Sequence, residues 1–503
     1  MKLTGRAISG GRFRRLSFPL IFLLLAGCYM ISGNQGGGAA EFSPPRKVDT
    51  SDVLLPEGYE IEVVARGLTF PAGIAFDGEG VPYVIEAGYS YGEVFRPARL
   101  LRLKPDGSFD VIAQDEGNVP WTGLSWHEGA FYVAANGQKN PDGGKILRIE
   151  NDGRISVVVD GLPGHGDHQT NGPNIGPDGY LYFLQGTATN SGVVGLDNWE
   201  MGWLRRFPDY HDKACQDIVL RGENFVTKKP QGMKGEMLDK DTEELVTGAF
   251  VPYGTPTTEG QVIPGEFPCS GAIMRVRPEG GKPNLVAWGF RNPFWLAFSP
   301  DGRLFATENG YDVRGSRPVF GSGDFLWEVR PGLWYGWPDF QGGRPLEDWN
   351  RLSPFSKDPL RPLLAEYPNT PPSPTAVFAV HSSANGFDFS RNSDFGRKGK
   401  AFVAQFGDIT PMSGKLLAPT GFRVVEVDVE TGVVHDFAVN AGPVGGPASW
   451  GDTEGLERPV AVRFDPDGRA LYLVDFGVLT VTDKGMTPFP ETGVIWRIRR
   501  KEG

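Results

Sequence analysis

Six copies of one β-rich pattern predict an all-β fold, a six-bladed β-propeller. Each copy has an apolar segment, a turn that is often Asp-Gly, and a second apolar segment that ends in a small or polar residue. The first segments contain Gly73, Gly123, Asn174, Leu296, Gly386 and Val462. Most copies are followed by two more β-rich segments, such as 100–103 and 109–112 after the first copy. Four short strands repeated six times are typical of a propeller.

The two ends of the chain predict how the ring closes. After the first two segments of the last copy only 494–498 is β-rich, so the last blade lacks a fourth strand. Segment 59–65 has no blade of its own and resembles a fourth strand. We expect it to pair into the C-terminal blade, because this pairing removes both open sheet edges. Residues 53–503 then form the propeller.

A long stretch interrupts the third copy. Residues 187–270 are polar and rich in Pro and Gly, and they contain Cys215, Cys269 and His211. We expect a loop insertion there, with little regular secondary structure. In an exported protein we expect a disulfide between Cys215 and Cys269, and two separate buried thiols are the alternative.

The first 27 residues predict an export signal. Five basic residues precede the apolar run 18–25, and no acidic residue occurs among them. Leu25-Ala26-Gly27-Cys28 at the end of that run is typical of a lipoprotein signal with lipid attached at Cys28. An ordinary secretory signal is the alternative, and the pair Arg14-Arg15 leaves the export route open. Residues 28–52 contain a Gly-Ser-Pro-rich stretch and are expected to form a flexible tether.

Composition narrows the function classes. The whole chain carries a net charge of −11, and removal of the basic signal makes it more acidic, which disfavours nucleic-acid partners. No later segment is long and apolar enough to span a bilayer. We therefore expect a periplasmic or cell-surface lipoprotein that contacts the membrane only through its lipid anchor. Without a Cys-x-x-Cys-His motif, covalent haem is not expected.

The propeller frame predicts where a site lies. In each blade the loop before the first strand and the loop after the second strand reach the same face of the ring, and such loops commonly carry function. On this face we expect two histidines and two arginines, namely His168, His381, Arg291 and Arg458. The loops after the second strands supply Glu86, Asn136, Gln185, Glu308 and Asp475. There are structural alternatives: Arg291 and Arg458 bond backbone carbonyls at the blade ends, and Glu308 and Asp475 accept backbone N–H groups at strand ends.

Three motifs resemble one known family over residues 53–499. Asp167-His168-Gln169 is followed by Ile175-Gly176-Pro177-Asp178-Gly179; Gly289-Phe290-Arg291-Asn292-Pro293 leads to Glu308-Asn309-Gly310-Tyr311; and Arg458-Pro459 precedes Phe464-Asp465-Pro466-Asp467-Gly468. Together and in phase with the blades they resemble the glucose/sorbosone dehydrogenase family, propeller quinoproteins that use pyrroloquinoline quinone (PQQ) and calcium. The resemblance implies oxidation of a sugar or polyol.

The resemblance also implies roles for individual residues. His168 would be the general base, and Asp167 would either orient it or raise its basicity. Arg291, Asn292, Asn309 and Arg458 would bind PQQ, the carbonyl oxygens of Gly310 and Tyr311 would bind Ca²⁺, and Asn118 and Gln169 would face the substrate. Lys415 is the nearest substitute for a family lysine that is not visible at 405–408.

These residue types suit that chemistry. Guanidinium groups make two-pronged contacts to the carboxylates or quinone oxygens of PQQ, calcium prefers oxygen ligands, and a neutral imidazole can take a hydroxyl proton near pH 7. Because no second redox centre is visible, electrons are expected to leave to a separate acceptor. Two other functions stay open. One is a calcium-dependent lactonase-type hydrolase whose metal is held by Glu86, Glu308 and Asp475, and the other is a non-catalytic binding propeller for sugars or proteins.

Overall fold

A computed structural model describes residues 42–137, 143–230, 244–347, 349, 353, 358–409, 419–442, 445–482 and 485–501. The predicted signal peptide, the predicted lipidation site Cys28 and Lys415 lie outside these residues. Among the described residues, no helix has the length and apolar character needed to cross a membrane.

Six antiparallel sheets form a ring, which confirms the predicted six-bladed propeller. From the centre outward, blade 1 consists of Pro71–Phe76, Pro82–Glu86, Ala98–Leu103 and Phe109–Asp115. Blade 2 consists of Trp121–His127, Ala130–Ala135, Gly144–Glu150 and Ile155–Leu162. Blade 3 consists of Thr170–Ile175, Leu181–Gln185, Ala272–Val276 and Asn284–Trp288. Blade 4 consists of Asn292–Phe298, Leu304–Asn309, Asp324–Val329 and Ala376–Phe378. Blade 5 consists of Ala384–Phe389, Ala401–Gln405, Arg423–Val427 and Val434–Asn440. Blade 6 consists of Pro459–Phe464, Ala470–Asp475, Gly493–Arg500 and Tyr59–Leu68. The innermost strand of each blade contacts that of the next, and blade 6 contacts blade 1.

An N-terminal strand closes the ring as predicted. Tyr59–Leu68 pairs antiparallel with Gly493–Arg500, from Tyr59 opposite Arg500 to Leu68 opposite Gly493. Blade 6 therefore contains the first long strand and the last strand of the chain, so unfolding of either end would open the ring.

The predicted flexible tether is wrong for residues 42–52. Arg46 is buried against blade 6, where its Nη2 lies 2.6 Å from Oδ2 of Asp475 and its Nη1 donates to the Thr492 carbonyl at 2.7 Å. Val53–Leu54 then adds a fifth strand to the outer edge of blade 5. A buried ion pair fixes this segment, because either charge left without the other in the interior would be costly.

Short helices and two-stranded sheets lie outside the six blades. The insertion at 187–270 contains the helices Leu196–Glu200 and Trp203–Arg206 and the strand pairs Ile218–Val219 with Val262–Ile263 and Phe225–Lys228 with Glu244–Thr247. Cys215 and Cys269 form a disulfide across it. The remaining elements are a 3-10 helix at Thr50–Asp52, the helix Ala448–Gly451, and the strand pairs Tyr89–Ser90 with Val94–Phe95, Phe340–Gln341 with Arg344–Pro345, and Leu479–Thr482 with Gly485–Pro488.

The core lies between adjacent blades. The second strands Ala130–Ala135 and Ala401–Gln405 are buried at every position, because neighbouring blades cover both faces of each sheet. Trp121, Trp327 and Trp496 are among the largest fully buried side chains. This packing fixes the ends of the inner strands, and it is these ends that carry the candidate site.

Candidate active site on one face of the ring

Buried carboxylates brace the loops that lead into the inner strands. Glu308 accepts the backbone N–H of Arg291 at 2.5 Å, and Asp475 accepts that of Arg458 at 2.8 Å. Glu86 does the same for Thr69 at 2.7 Å. The structural alternative for Glu308 and Asp475 is confirmed: these carboxylates link the end of the second strand to the residue before the first strand of the same blade. They thereby set the position of the two arginines.

His168 has one ring nitrogen engaged and the other open. Nδ1 lies 3.1 Å from the Thr187 carbonyl oxygen and 2.9 Å from Thr187 Oγ1, whose own proton goes to the Thr189 carbonyl at 2.7 Å. Both neighbours of Nδ1 are therefore acceptors, so Nδ1 carries the proton. Within the described part of the chain Nε2 has no hydrogen bond. A neutral His168 thus presents the Nε2 lone pair as a base.

Burial and nearby charge keep His168 neutral. The residue is only 6% exposed. Burial lowers its pKa well below the usual value, and the positive charges of Arg291 and Arg314 lower it further. The Asp312 carboxylate opposes this shift without reversing it.

Asp167 does not orient His168, contrary to the sequence-based expectation. Its carboxylate lies 2.5 Å from Nη1 of Arg314 and accepts Nδ2 of Asn198 at 3.1 Å. Burial raises the pKa of Asp167 to about 6, although Arg314 opposes the rise. Thr187, on the insertion that follows blade 3's second strand, holds the histidine instead.

Arg291 is enclosed by oxygen atoms of the protein. Nε donates to the backbone and side-chain oxygens of Asn190 at 3.1 and 3.2 Å, and Nη2 donates to Asn190 Oδ1 at 2.9 Å and Asp312 Oδ2 at 2.7 Å. Nη1 donates to the carbonyls of Asn309, at 3.3 Å, and Gly310. Every nitrogen of the guanidinium is engaged, and the residue is 3% exposed. The Gly310 carbonyl, predicted to bind calcium, therefore accepts a guanidinium N–H in this structure.

Asp312 and Arg314 extend the charge network beside His168. Asp312 bonds both Arg291 and Arg314 Nε, the latter at 3.0 Å, and His381 Nδ1 lies 3.4 Å from its Oδ1. The two guanidinium groups hold the pKa of Asp312 far below its ordinary value against the effect of burial. Arg314 Nη1 also pairs with Asp197 at 2.8 Å. Both histidines expected on this face therefore interact with the Asp312 carboxylate. His381 contacts it directly, and His168 interacts with it electrostatically.

Arg458 is fully buried and turned toward backbone carbonyls. Its Nη2 donates to Leu479 O at 3.1 Å, and its Cζ lies 5.0 Å from the ring centres of Phe406 and of Phe422. Burial lowers its pKa to about 10. In this structure the guanidinium ties blade 6 to blade 5, so contact with a cofactor carboxylate stays a prediction.

The remaining candidates lie at the same end of the inner strands. Asn118 Nδ2 donates to Asp115 Oδ2 at 2.7 Å, which ties it to the connection between blades 1 and 2. Asn292 and Asn309 stand opposite each other in blade 4, and Asn309 Nδ2 donates to Asn385 at 3.3 Å. The Tyr311 hydroxyl donates to Phe340 O at 2.9 Å. Gln169, half-buried, follows His168 directly.

Tyr91, which the sequence did not single out, lies over the middle of this face. It sits on the hairpin formed by Tyr89–Ser90 and Val94–Phe95, and its ring centre is 6.4 Å from that of Phe406. Its phenol lies within electrostatic range of Asp312, Arg314 and Arg458. One side chain therefore stands within electrostatic reach of blades 4 and 6, and it is still 43% exposed.

A cavity of about 560 Å³ opens at the other end of the inner strands. Its lining includes Asn174, Phe298, Asp388, Arg391 and Arg463. A much smaller cavity of about 10 Å³ lies beside Arg291, between Glu308 and Tyr335. The larger cavity contains none of the predicted catalytic residues, so we place the candidate site at His168 on chemical grounds.

Besides Tyr91, several residues of the site could not be singled out from local pattern alone. Thr187 and Asn190 lie in the insertion, whose sequence has no repeat to align it. Arg314 belongs to the loop after Gly310-Tyr311, where a run of polar residues was the available signal.

Comparisons with known proteins agree on the fold. No protein-family model matches the chain, and no curated protein does. Among solved structures, the holo form of the pyranose dehydrogenase PQQ domain from Coprinopsis cinerea is 15% identical over 91% of this chain and 98% of its own, with a TM-score of 0.52. The Trichoderma reesei protein of carbohydrate-active enzyme family AA12 is 15% identical over 91% and 100%, with a TM-score of 0.51.

A bacterial structure gives the same result. The soluble aldose sugar dehydrogenase from Escherichia coli, in its apo form, is 13% identical over 88% of this chain and all of its own, with a TM-score of 0.50. The structural neighbours are thus of the kind that the sequence resemblance indicated. At these identities the likeness establishes the shared architecture: the chain has the six-bladed propeller fold of the sugar dehydrogenases to which it is similar.

Proposed function

We propose that this protein is a quinone-dependent dehydrogenase that oxidises a hydroxyl group of a sugar or polyol, with His168 as the general base. The observation that carries the proposal is the neutral His168 tautomer, with Nδ1–H fixed by Thr187 and Nε2 open. The names of the structural neighbours, a PQQ domain and an aldose sugar dehydrogenase, support PQQ as the quinone and a sugar as the substrate.

The charges near His168 fit an anionic quinone. Arg314 is 21% exposed, and within the described residues its Nη2 has no hydrogen bond. It is therefore the guanidinium best placed to meet a cofactor carboxylate, whereas the donors of Arg291 are occupied. When bound, PQQ would accept the hydride from the substrate carbon.

The residues of the chain divide the remaining work. Nε2 of His168 takes the hydroxyl proton as the hydride leaves, while Thr187 keeps Nδ1–H in place. The Asp312 carboxylate, which raises the pKa of His168, stabilises the imidazolium formed in that step. Tyr91 over the middle of the face and Gln169 beside the base are the nearest candidates for substrate contacts.

Calcium does not fit at the position that the resemblance assigned to it. The Gly310 carbonyl oxygen accepts Arg291 Nη1, so a divalent cation there would face a guanidinium. We route no step through a metal. The lactonase alternative gains no support either, because Glu86, Glu308 and Asp475 are used as braces, and the described residues contain no group of three or more His, Cys, Asp or Glu able to hold a metal.

Two features of the proposal concern partners and location. We propose that the electrons pass to a separate acceptor, and that lipid attached at Cys28 keeps the enzyme at a membrane surface outside the cytoplasm. Labelling with a radioactive fatty acid, lost in Cys28→Ala, would test the second point.

A reconstitution assay tests the proposed function. The purified mature protein is titrated with PQQ while quinone absorbance is followed, and dye reduction is then measured over a panel of aldoses and polyols, with calcium and with a chelator. We expect saturable PQQ binding and substrate-dependent dye reduction. Absence of both would overturn the proposal, and lactone hydrolysis without quinone would favour the hydrolase.

The acid limit of activity should lie unusually low. A general base works only when unprotonated, and burial with two nearby guanidinium groups holds the pKa of His168 well below 6.5. As pH falls through 6.5, kcat/KM for the best substrate should therefore stay constant, and it should decline only at lower pH. A kcat/KM profile that halves at or above pH 6.5 would show that His168 is not the controlling base.

A further inference from the structure

We infer that the Arg291 guanidinium is the resident cation of an oxygen cage on the active face, so that this site needs no metal ion. The Arg291 cage is defined by the oxygen atoms that accept its hydrogen bonds: Asn190 O, Asn190 Oδ1, Asn309 O, Gly310 O and Asp312 Oδ2. The inference concerns binding at this cage and does not depend on the proposed function.

The donor set resembles that of a hard-cation site. Three backbone carbonyl oxygens, one amide oxygen and one carboxylate oxygen surround a single positive charge. Calcium takes the same classes of oxygen ligand in proteins. The difference lies in the cation, because a guanidinium carried on the chain is already present at full occupancy and cannot dissociate. It is also buried, at 3% exposure.

The walls of the cage are held independently of Arg291's side chain. Glu308 bonds the Arg291 backbone N–H at 2.5 Å and Trp327 Nε1 at 2.6 Å. Asp324 accepts the Gly310 N–H at 2.9 Å. Asn190 Nδ2 donates to Asp312 O at 2.9 Å, which links the insertion to blade 4. These contacts would keep the oxygen atoms converging if the guanidinium were removed.

Charge explains why a metal and Arg291 exclude each other. A calcium ion bound to Gly310 O would share that oxygen with Nη1 and would lie beside a fixed positive charge in a buried place. Like charges at such separations repel strongly where water is scarce. The cage therefore accepts either the guanidinium or a metal ion, and the wild-type chain supplies the guanidinium.

Calorimetric titration and thermal unfolding test this inference on the full mature protein without quinone. The wild type should show no calcium heat and the same melting temperature in millimolar calcium and in a chelator. Arg291→Ala should melt lower in chelator, and calcium should bind to it and raise its melting temperature, because a ligand that binds only the native state stabilises it. Arg291→Lys, which keeps a cation, should remain insensitive to calcium.

A neighbouring arginine provides the matched control. Arg314 also pairs with Asp312, but no hydrogen bond joins it to Gly310 among the described residues, so Arg314→Ala should not gain calcium binding. Calcium heat or chelator-induced destabilisation in the wild type would overturn the inference, as would a folded Arg291→Ala that binds no calcium. If Arg291→Ala does not fold even with calcium, the wild type and Arg291→Lys decide: insensitivity of both supports the inference, and a response in either overturns it.

Discussion

Replacing His168 by alanine is expected to lower kcat for dye reduction by about 10²- to 10⁴-fold, the usual contribution of a positioned general base. The expectation follows from the tautomer. Thr187 offers only acceptors to Nδ1, so the proton resides there and Nε2 alone can take a proton from substrate. PQQ binding, followed by absorbance, should survive the substitution, because the guanidinium groups remain.

Two variants sharpen this prediction. His165→Ala is the matched control, because His165 lies three residues earlier and stacks on Phe207 with ring centres 3.9 Å apart. It should keep near wild-type kcat. Thr187→Val removes the hydroxyl but keeps the backbone carbonyl as an acceptor for Nδ1, so we expect a loss of only a few-fold. A His168→Ala enzyme within tenfold of wild type, with normal folding by circular dichroism, would exclude His168 as the base.

The architecture was predictable because its signals are local. Paired apolar segments separated by a turn, often Asp-Gly, recur in each blade. Segment 59–65, which had no blade of its own, matched the fourth strand that the C-terminal blade lacked. The insertion between the third and fourth strands of blade 4, at 330–375, was missed because it contains no copy of the repeat. Residues 42–52 were misjudged because Arg46's partner, Asp475, is 429 residues away.

The site was predictable in its placement and less so in its contacts. His168, Arg291 and the Gly310 loop reach one face because the blade topology requires it. Asp167 was predicted to interact with His168, its neighbour in sequence, yet its carboxylate pairs with Arg314, 147 residues later. The Gly310 carbonyl was predicted to bind calcium, yet it accepts a hydrogen bond from Arg291. The repeat pattern in the sequence shows which residue types come together on one face. Which of those charged side chains pair with each other depends on side-chain geometry, which the sequence pattern does not reveal.

The largest loss of stability is expected from Asp339→Ala. The Asp339 carboxylate lies 2.9 Å from Nη2 of Arg317, and the side chains are 0% and 1% exposed. It also accepts the backbone N–H groups of Leu363 and Leu364, at 2.9 and 2.9 Å, so it ties the blade 4 insertion to the ring. Removing one partner of a buried pair leaves an uncompensated charge and costs about 3–5 kcal/mol.

Arg317 shows why the acid is the more sensitive partner. Arg317 retains carbonyl acceptors at Pro338, 2.7 Å, and Arg361, 2.9 Å, but these do not neutralise it. In Arg317→Met the Asp339 carboxyl keeps its two amide donors, and burial already raises its pKa despite the guanidinium, so it can become neutral by taking up a proton. We therefore expect Arg317→Met to lower the free energy of unfolding less than Asp339→Ala.

An exposed ion pair provides the control for the loss of stability expected from breaking the buried pair. Arg499 and Glu60 lie 2.7 Å apart on the strands that close the ring, at 50% and 42% exposure, and solvent screens them. Arg499→Ala should cost less than about 1 kcal/mol. Urea denaturation of the three variants and the wild type would give the ranking. Equal, small effects for Asp339→Ala and Arg499→Ala would mean that the blade 4 insertion is held by its apolar contacts, with the buried ion pair contributing little.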